Sequence, residues 1–196
     1  MGVKVESLKK ITAASAQEIC ALATAGGFKL GARESASPVD YLNELLAAGS
    51  LNEAVQFLAF ALPPREAVWW ACQCARDEWH EPAPPVLQAA VDAAERWVRQ
   101  PTEEHRRAAM SCAQATDLKS PAAWAAVAAF WSGGSLAPEN QPEVPPAPHL
   151  LGSAVAGAVM LAAVQSKPQL ADPRRERYLA SAIDIANGGT GRINPG

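Results

Sequence analysis

Proline and glycine cut this chain into alanine-rich segments of about 8–20 residues, the usual length of globular helices, and that punctuation constrains the fold more than any motif does. Proline suits the first turn of a helix and glycine its end. Residues 16–25 form a short segment closed by Gly26-Gly27, and 31–37 is polar and loop-like. Pro38 opens a helix to Ala48 with Leu42, Leu45 and Leu46 on its apolar face, and Gly49-Ser50 stops it. Residues 51–62 make the next helix, ended by Pro63-Pro64, and a tryptophan-rich helix follows over 63–80. After the break at 82–85, residues 86–99 are cleanly amphipathic, with Val86, Leu87, Ala90, Val91, Ala94, Trp97 and Val98 opposite Gln88, Asp92, Glu95 and Arg99. Thr102 with Glu103 and Glu104 reads as a capped, acid-biased start of a helix to about Thr116. Ser120-Pro121 opens another, apolar all round, which ends at Gly133-Gly134. Residues 149–165 and 173–187 are the last two helices, the second closed by Gly188-Gly189.

No window alternates apolar and polar residues between hairpin turns, so the expected fold is all-α. It is a compact irregular multi-helix bundle with a proline-rich linker before the last two helices. The expected layout is an N-terminal arm over 1–15, a main helical body over 16–134, the linker over 135–148, a C-terminal helix pair over 149–189 packing on the body, and a flexible tail over 190–196. A chain of 196 residues can bury a substantial core without metals or disulfides. Its 49% hydrophobic content is largely alanine, the strongest helix former.

Charge and cysteine usage exclude several function classes. A formal net charge of −3 argues against a general nucleic-acid binder, which presents a basic face. Cys20, Cys72, Cys74 and Cys112 lie in helical surroundings with no disulfide-framework spacing and read as buried apolar residues. The lysines Lys4, Lys9 and Lys10 precede a segment interrupted by Glu18, so no signal-peptide core is present and a cytoplasmic location is expected. Residues 150–164 carry no charge, but the run is shorter than a membrane span of about 20 residues and is rich in Ala and Gly. A buried central helix is the better reading, with Ser153 and Gly157 spaced for close helix approach and no insertion into a membrane.

Catalytic chemistry finds no foothold. Cys72 and Cys74 stand about 200° apart on a helix, so they cannot share a metal without unwinding it. The histidines His80, His105 and His149 fall in no metal motif, and no nucleophile elbow or phosphate loop is present. No catalytic residue, metal or cofactor is assigned.

Contact surfaces are more promising. At about 100° per residue, Trp69 falls opposite the apolar arc of its helix, in a row with Arg65 and Arg76, while Trp70 sits at the edge of that arc. Trp and Arg are the residues most enriched in interface hot spots, and an indole between two guanidiniums could stack with either. Either a second face of this helix is buried, or Arg65, Trp69, Trp70 and Arg76 meet another protein. A second candidate is Arg174, Arg175 and Arg177 in the first turn of the last helix. Positive charge there opposes the helix dipole and calls for a carboxylate, from the chain or from an acidic partner.

Two blocks, LPPREAVWWACQCAR at 62–76 and YLASAIDIANGG at 178–189, resemble a family of small bacterial helical proteins associated with type VI secretion gene clusters. The resemblance carries no catalytic or ligand residue. It implies a non-enzymatic adaptor or co-chaperone that helps stabilise or load a secretion effector, its partner being that effector or a larger loading chaperone. Two other readings stay open: a small helical enzyme or ligand-binding domain whose polar pocket gathers His80 or His105 from distant segments, and an immunity protein that blocks a toxin.

Overall fold

The computed structural model describes residues 4–32, 35–79 and 82–193. His80 and the last three residues of the tail lie outside the described residues. The chain is all-helical: α1 (Ala16–Ala25), α2 (Pro38–Ala47), α3 (Leu51–Ala61), α4 (Pro64–Asp77), α5 (Pro85–Arg99), α6 (Glu103–Gln114), α7 (Pro121–Phe130), α8 (Leu150–Val164) and, after a 3-10 turn at Pro168–Leu170, α9 (Ala171–Ala186).

The helix starts follow from local chemistry. Ser15, Ser37, Thr102 and Ser120 are N-caps whose hydroxyl oxygens accept the amide three residues on, and proline occupies the first turn of α2, α4, α5 and α7. Apolar residues all round α7 and α8 put these two helices at the centre. α7 packs against α4, α5, α6 and α8, and α8 packs against α3, α4, α7 and α9. α4 lies between them, with α5 and α9 on its remaining sides. Among the described residues no single helix is long and apolar enough to cross a membrane.

The proline-rich linker is fastened down. Ser135 Oγ accepts the amides of Ala137 and Val144, each at 3.1 Å, and the Leu136 amide donates to the Val144 carbonyl at 2.8 Å. From α6, Arg106 donates to Ser135 O at 2.7 Å and Arg107 to Ala137 O at 3.0 Å.

The arm is fastened too. Val5 and Leu8 are buried, and Val5 exchanges two 2.9 Å hydrogen bonds with the Asn43 amide of α2. Ser7 and Asn187 are likewise joined, through Ser7 Oγ donating to Asn187 Oδ1 and Asn187 Nδ2 donating to Ser7 O, both at 2.8 Å.

The tail is not free where it leaves α9. The Gly191 amide donates to Asp184 Oδ2 at 2.8 Å, and the Ser181 hydroxyl donates to Gly191 O. Gly191 has φ +63°, a left-handed conformation that a side chain would strain, and a Cβ there would strike Ile185 at 2.3 Å. The expectation of a flexible tail is therefore corrected for residues 190–193.

Close helix approach occurs in α8 at Ser153, as the spacing implied, and at Gly152, but not at Gly157. A Cβ on Gly152 would lie 2.3 Å from Cδ1 of Phe60, and Ser153 Oγ sits against Gly26, whereas Gly157 faces open space. Gly152→Ala is expected to cost about 1–3 kcal/mol through overpacking against Phe60, whose ring already packs edge-on against Phe28 at 5.4 Å. Gly157→Ala should be neutral or raise stability by up to about 1 kcal/mol through helix propensity. Urea titration of both variants checks this; equal midpoints would show that the Phe60 ring yields without cost.

Candidate functional site

Trp70 is completely buried, with its indole N–H donating to Tyr178 O of α9 at 2.8 Å. The edge of the apolar arc is covered because α9 lies along it, and Cys74 and the Asp77 side chain are buried on the same side. Trp70 is thus core, which corrects its assignment as a partner contact. Burial, together with the nearby Cys74 and Asp77, holds the Tyr178 phenol well above its ordinary pKa.

The arginines of α9 divide in the same way. The helix begins at Ala171, so Asp172 fills the first turn and the arginines fall beyond it. Arg174 is buried under the C-terminus of α8, donating to Ala162 O at 3.4 Å, Ala163 O at 3.5 Å and Ser166 Oγ at 3.0 Å. Its charge sits against the negative end of that helix. This corrects the expectation of a first-turn basic patch: Arg174 is buried inside the fold. Arg175 pairs with Asp172 at 2.6 Å and Arg177 with Asp77 at 2.7 Å.

Arg76 does not stack on Trp69. It bridges Glu95 at 2.6 Å and Asp92 at 2.7 Å on α5, with its guanidinium 5.7 Å from the Trp79 ring.

Trp69 is half-buried, and its indole N–H donates to Thr190 O of the folded-back tail at 2.7 Å. It lines a cleft of about 390 Å³ together with Lys10, Arg65, Glu66, Val98, Arg99, Ile185 and Gly189. Four pieces of chain meet here: the arm, the first turns of α4, the end of α5 and the end of α9 with its tail. Arg65 donates through Nε to the Val98 carbonyl at 2.9 Å, capping the C-terminus of α5, and the Lys10 amide donates to Ala186 O at 2.8 Å, capping α9. The Lys10 ammonium pairs with Glu66 at 2.8 Å. Burial pulls the Glu66 carboxyl up, but hydrogen bonds from Lys10 and from the Glu66 backbone amide, with the charges of Lys10 and Arg65, outweigh that and hold it below its ordinary value. Arg99 reaches Glu95 at 3.1 Å while most of its side chain stays in solvent.

Of the partner candidates, the structure therefore brings Arg65 and Trp69 together and places Arg76, Trp70, Arg174, Arg175 and Arg177 elsewhere. Sequence reasoning missed Lys10, Glu66, Arg99 and Ile185. The available signal was the Asn187-Gly188-Gly189 stop, which turns the tail back toward α4.

A second cleft of about 310 Å³ lies between α9 and the tail, lined by Arg177, Ala180, Ser181, Asp184, Gly191, Arg192 and Ile193. Neither cleft includes His105, whose Nδ1 lies 2.9 Å from Gln100 O. Cys72 and Cys74 are fully buried, and burial pushes both thiols well above their ordinary pKa, which suppresses the reactive thiolate. Among the described residues no group of three or more His, Cys, Asp or Glu is placed to hold a metal ion.

No curated protein and no solved structure matches the chain. Residues 41–186 match a family of unknown function, DUF6931. That stretch contains Arg65, Glu66, Trp69, Val98, Arg99 and Ile185 of the cleft, while Lys10 and Gly189 lie outside it. Since the match spans most of the 196 residues, the chain belongs to the DUF6931 family.

Proposed function

We propose that this protein is a non-enzymatic accessory factor that binds another protein through the Trp69 cleft, as an adaptor or co-chaperone for a type VI secretion effector in the cytoplasm. The observation that carries the reading is the cleft itself, a tryptophan flanked by Lys10, Arg65 and Arg99 on a chain of net charge −3. Trp and Arg dominate the energetics of protein interfaces. Both blocks that resemble secretion-associated proteins meet at this place: 62–76 supplies Arg65, Glu66 and Trp69, and 178–189 supplies Ile185 and Gly189.

The test is purification of the tagged protein from its native host, in parallel with Trp69→Ala. Stoichiometric recovery of an effector or loading chaperone with the wild type, lost in a variant of unchanged helicity, supports the reading. A wild type that purifies alone, or a partner held equally by both, removes it. Protection of a toxin-producing cell without any gain in effector delivery would replace it with the immunity reading.

A further inference from the structure

We infer that the Trp69 cleft receives an acidic peptide segment of the partner, in which a carboxylate side chain stands next to an apolar one. The inference rests on the protein-binding reading above and adds the chemistry of what is bound.

Charge is the first argument. Three cations and one carboxylate line the cleft. Glu66 is matched by Lys10, and Arg99 shares Glu95 with Arg76, which also holds Asp92. Among the described residues Arg65 forms no ion pair with a carboxylate, although its charge acts on the neighbouring Glu66. Its Nε is committed to the Val98 carbonyl, which fixes the guanidinium at the cleft and leaves the two terminal nitrogens for an incoming group. A guanidinium held in this way pairs with a carboxylate through parallel hydrogen bonds, a geometry an ammonium does not offer. Arg99, mostly in solvent, adds a second, movable donor at the rim.

The apolar lining is the second argument. Trp69 and Val98, both only partly buried, lie in the same cleft as the cations, and the buried core residue Ile185 also lines it. A small inorganic anion would satisfy the cations and leave these surfaces wet. An acidic residue with an aliphatic or aromatic neighbour satisfies both. The volume of about 390 Å³ is near the lower end for ligand pockets, about 300–1,000 Å³, and suits side chains from a short segment.

The experiment is selection from a displayed library of random linear peptides on the immobilised full-length protein. It is followed by affinity measurement of the enriched sequence, as a labelled synthetic peptide, on the wild type and on Arg65→Gln/Arg99→Gln. Circular dichroism confirms that the variant folds. The expected result is enrichment of Asp or Glu beside Leu, Phe or Trp, affinity that falls with added salt, and a loss of about tenfold or more in the double variant. Replacing the peptide's acids with Lys should abolish binding.

Enrichment of neutral or basic peptides that Trp69→Ala still loses would overturn the acidic assignment and leave the protein-binding reading intact. Equal affinity for wild type and double variant overturns the inference, as does displacement of the peptide by inorganic phosphate at equal concentration. Acidic peptides bound at the cleft, with no partner recovered from the host, keep the chemistry and remove the adaptor.

Discussion

Trp70→Ala is expected to lower the free energy of unfolding by about 3–5 kcal/mol, the range for deleting a large buried aromatic side chain. That is a large share of the roughly 5–15 kcal/mol that holds a domain together. The effect has two parts: a cavity where α4 meets α9, and loss of the donor to Tyr178 O. Trp70→Phe removes the N–H and the five-membered ring but keeps a six-membered one, so an intermediate loss of about 2–3 kcal/mol is expected. Trp69→Ala, at the neighbouring half-buried position, should cost clearly less than Trp70→Ala. Urea midpoints at constant slope measure all three. If the two alanine variants are equally destabilised, the assignment of Trp70 to the core and Trp69 to the cleft is wrong.

Arg106→Met should produce the second large loss, about 2–4 kcal/mol, although the new side chain fills a similar volume. Arg106 is buried and joins three parts of the chain. It donates to both oxygens of Glu103 at 2.7 and 2.8 Å, to the Phe130 carbonyl at the end of α7, and to Ser135 O at 2.7 Å, and it stacks over the Phe130 ring at 4.4 Å. Methionine leaves two carbonyls without their donor. Arg106→Lys is expected to rescue little, since one ammonium cannot reproduce the fork.

The same variant carries a pH signature. The Arg106 hydrogen bonds, with help from Arg107, hold the Glu103 carboxyl below its ordinary value of 4.5. A depressed folded-state pKa means that the stabilisation is present above the unfolded value and lost as pH falls through the folded one. The melting temperature of the wild type should therefore decline more steeply below about pH 4.5 than that of Arg106→Met. Parallel declines would show that Glu103 gains nothing from Arg106.

Sequence made the helices legible because their starts and stops are chemical events within a few residues of each other. Ser120-Pro121 and Thr102 with its acids needed no tertiary information to be read. What the helical wheel could not supply was the number of neighbours around α4. It places Trp69 opposite the apolar arc and Trp70 at its edge. Only the position of α9 decides that the edge is sealed and the far side left half open.

The α9 arginines show the same limit. Asp172 stands just ahead of them, but the proline signal at Pro173 reads as the helix start, which places three arginines in the first turn. The 3-10 turn at Pro168–Leu170 begins the helix early and leaves Arg174 under the α8 carbonyls. For the cleft, Arg65 and Trp69 were readable as a row on one helix. Lys10 and Ile185 were not, because their separation in the chain carries no local trace.

That separation has a consequence for order of assembly. The Ser7–Asn187 pair closes a loop of 180 residues. Closure entropy rises only logarithmically with loop length, so the clasp is affordable, but it can form only after the helices between have docked. Lys10 and Thr190 flank that clasp, one beside the cleft and one on Trp69. Native-state hydrogen exchange is therefore expected to find the cleft wall among the first parts of the molecule to open. A ligand that favours the closed wall must strengthen the clasp by the same factor by which the clasp strengthens its binding. Loosening Asn187, a residue outside the cleft, would thereby reduce affinity inside it.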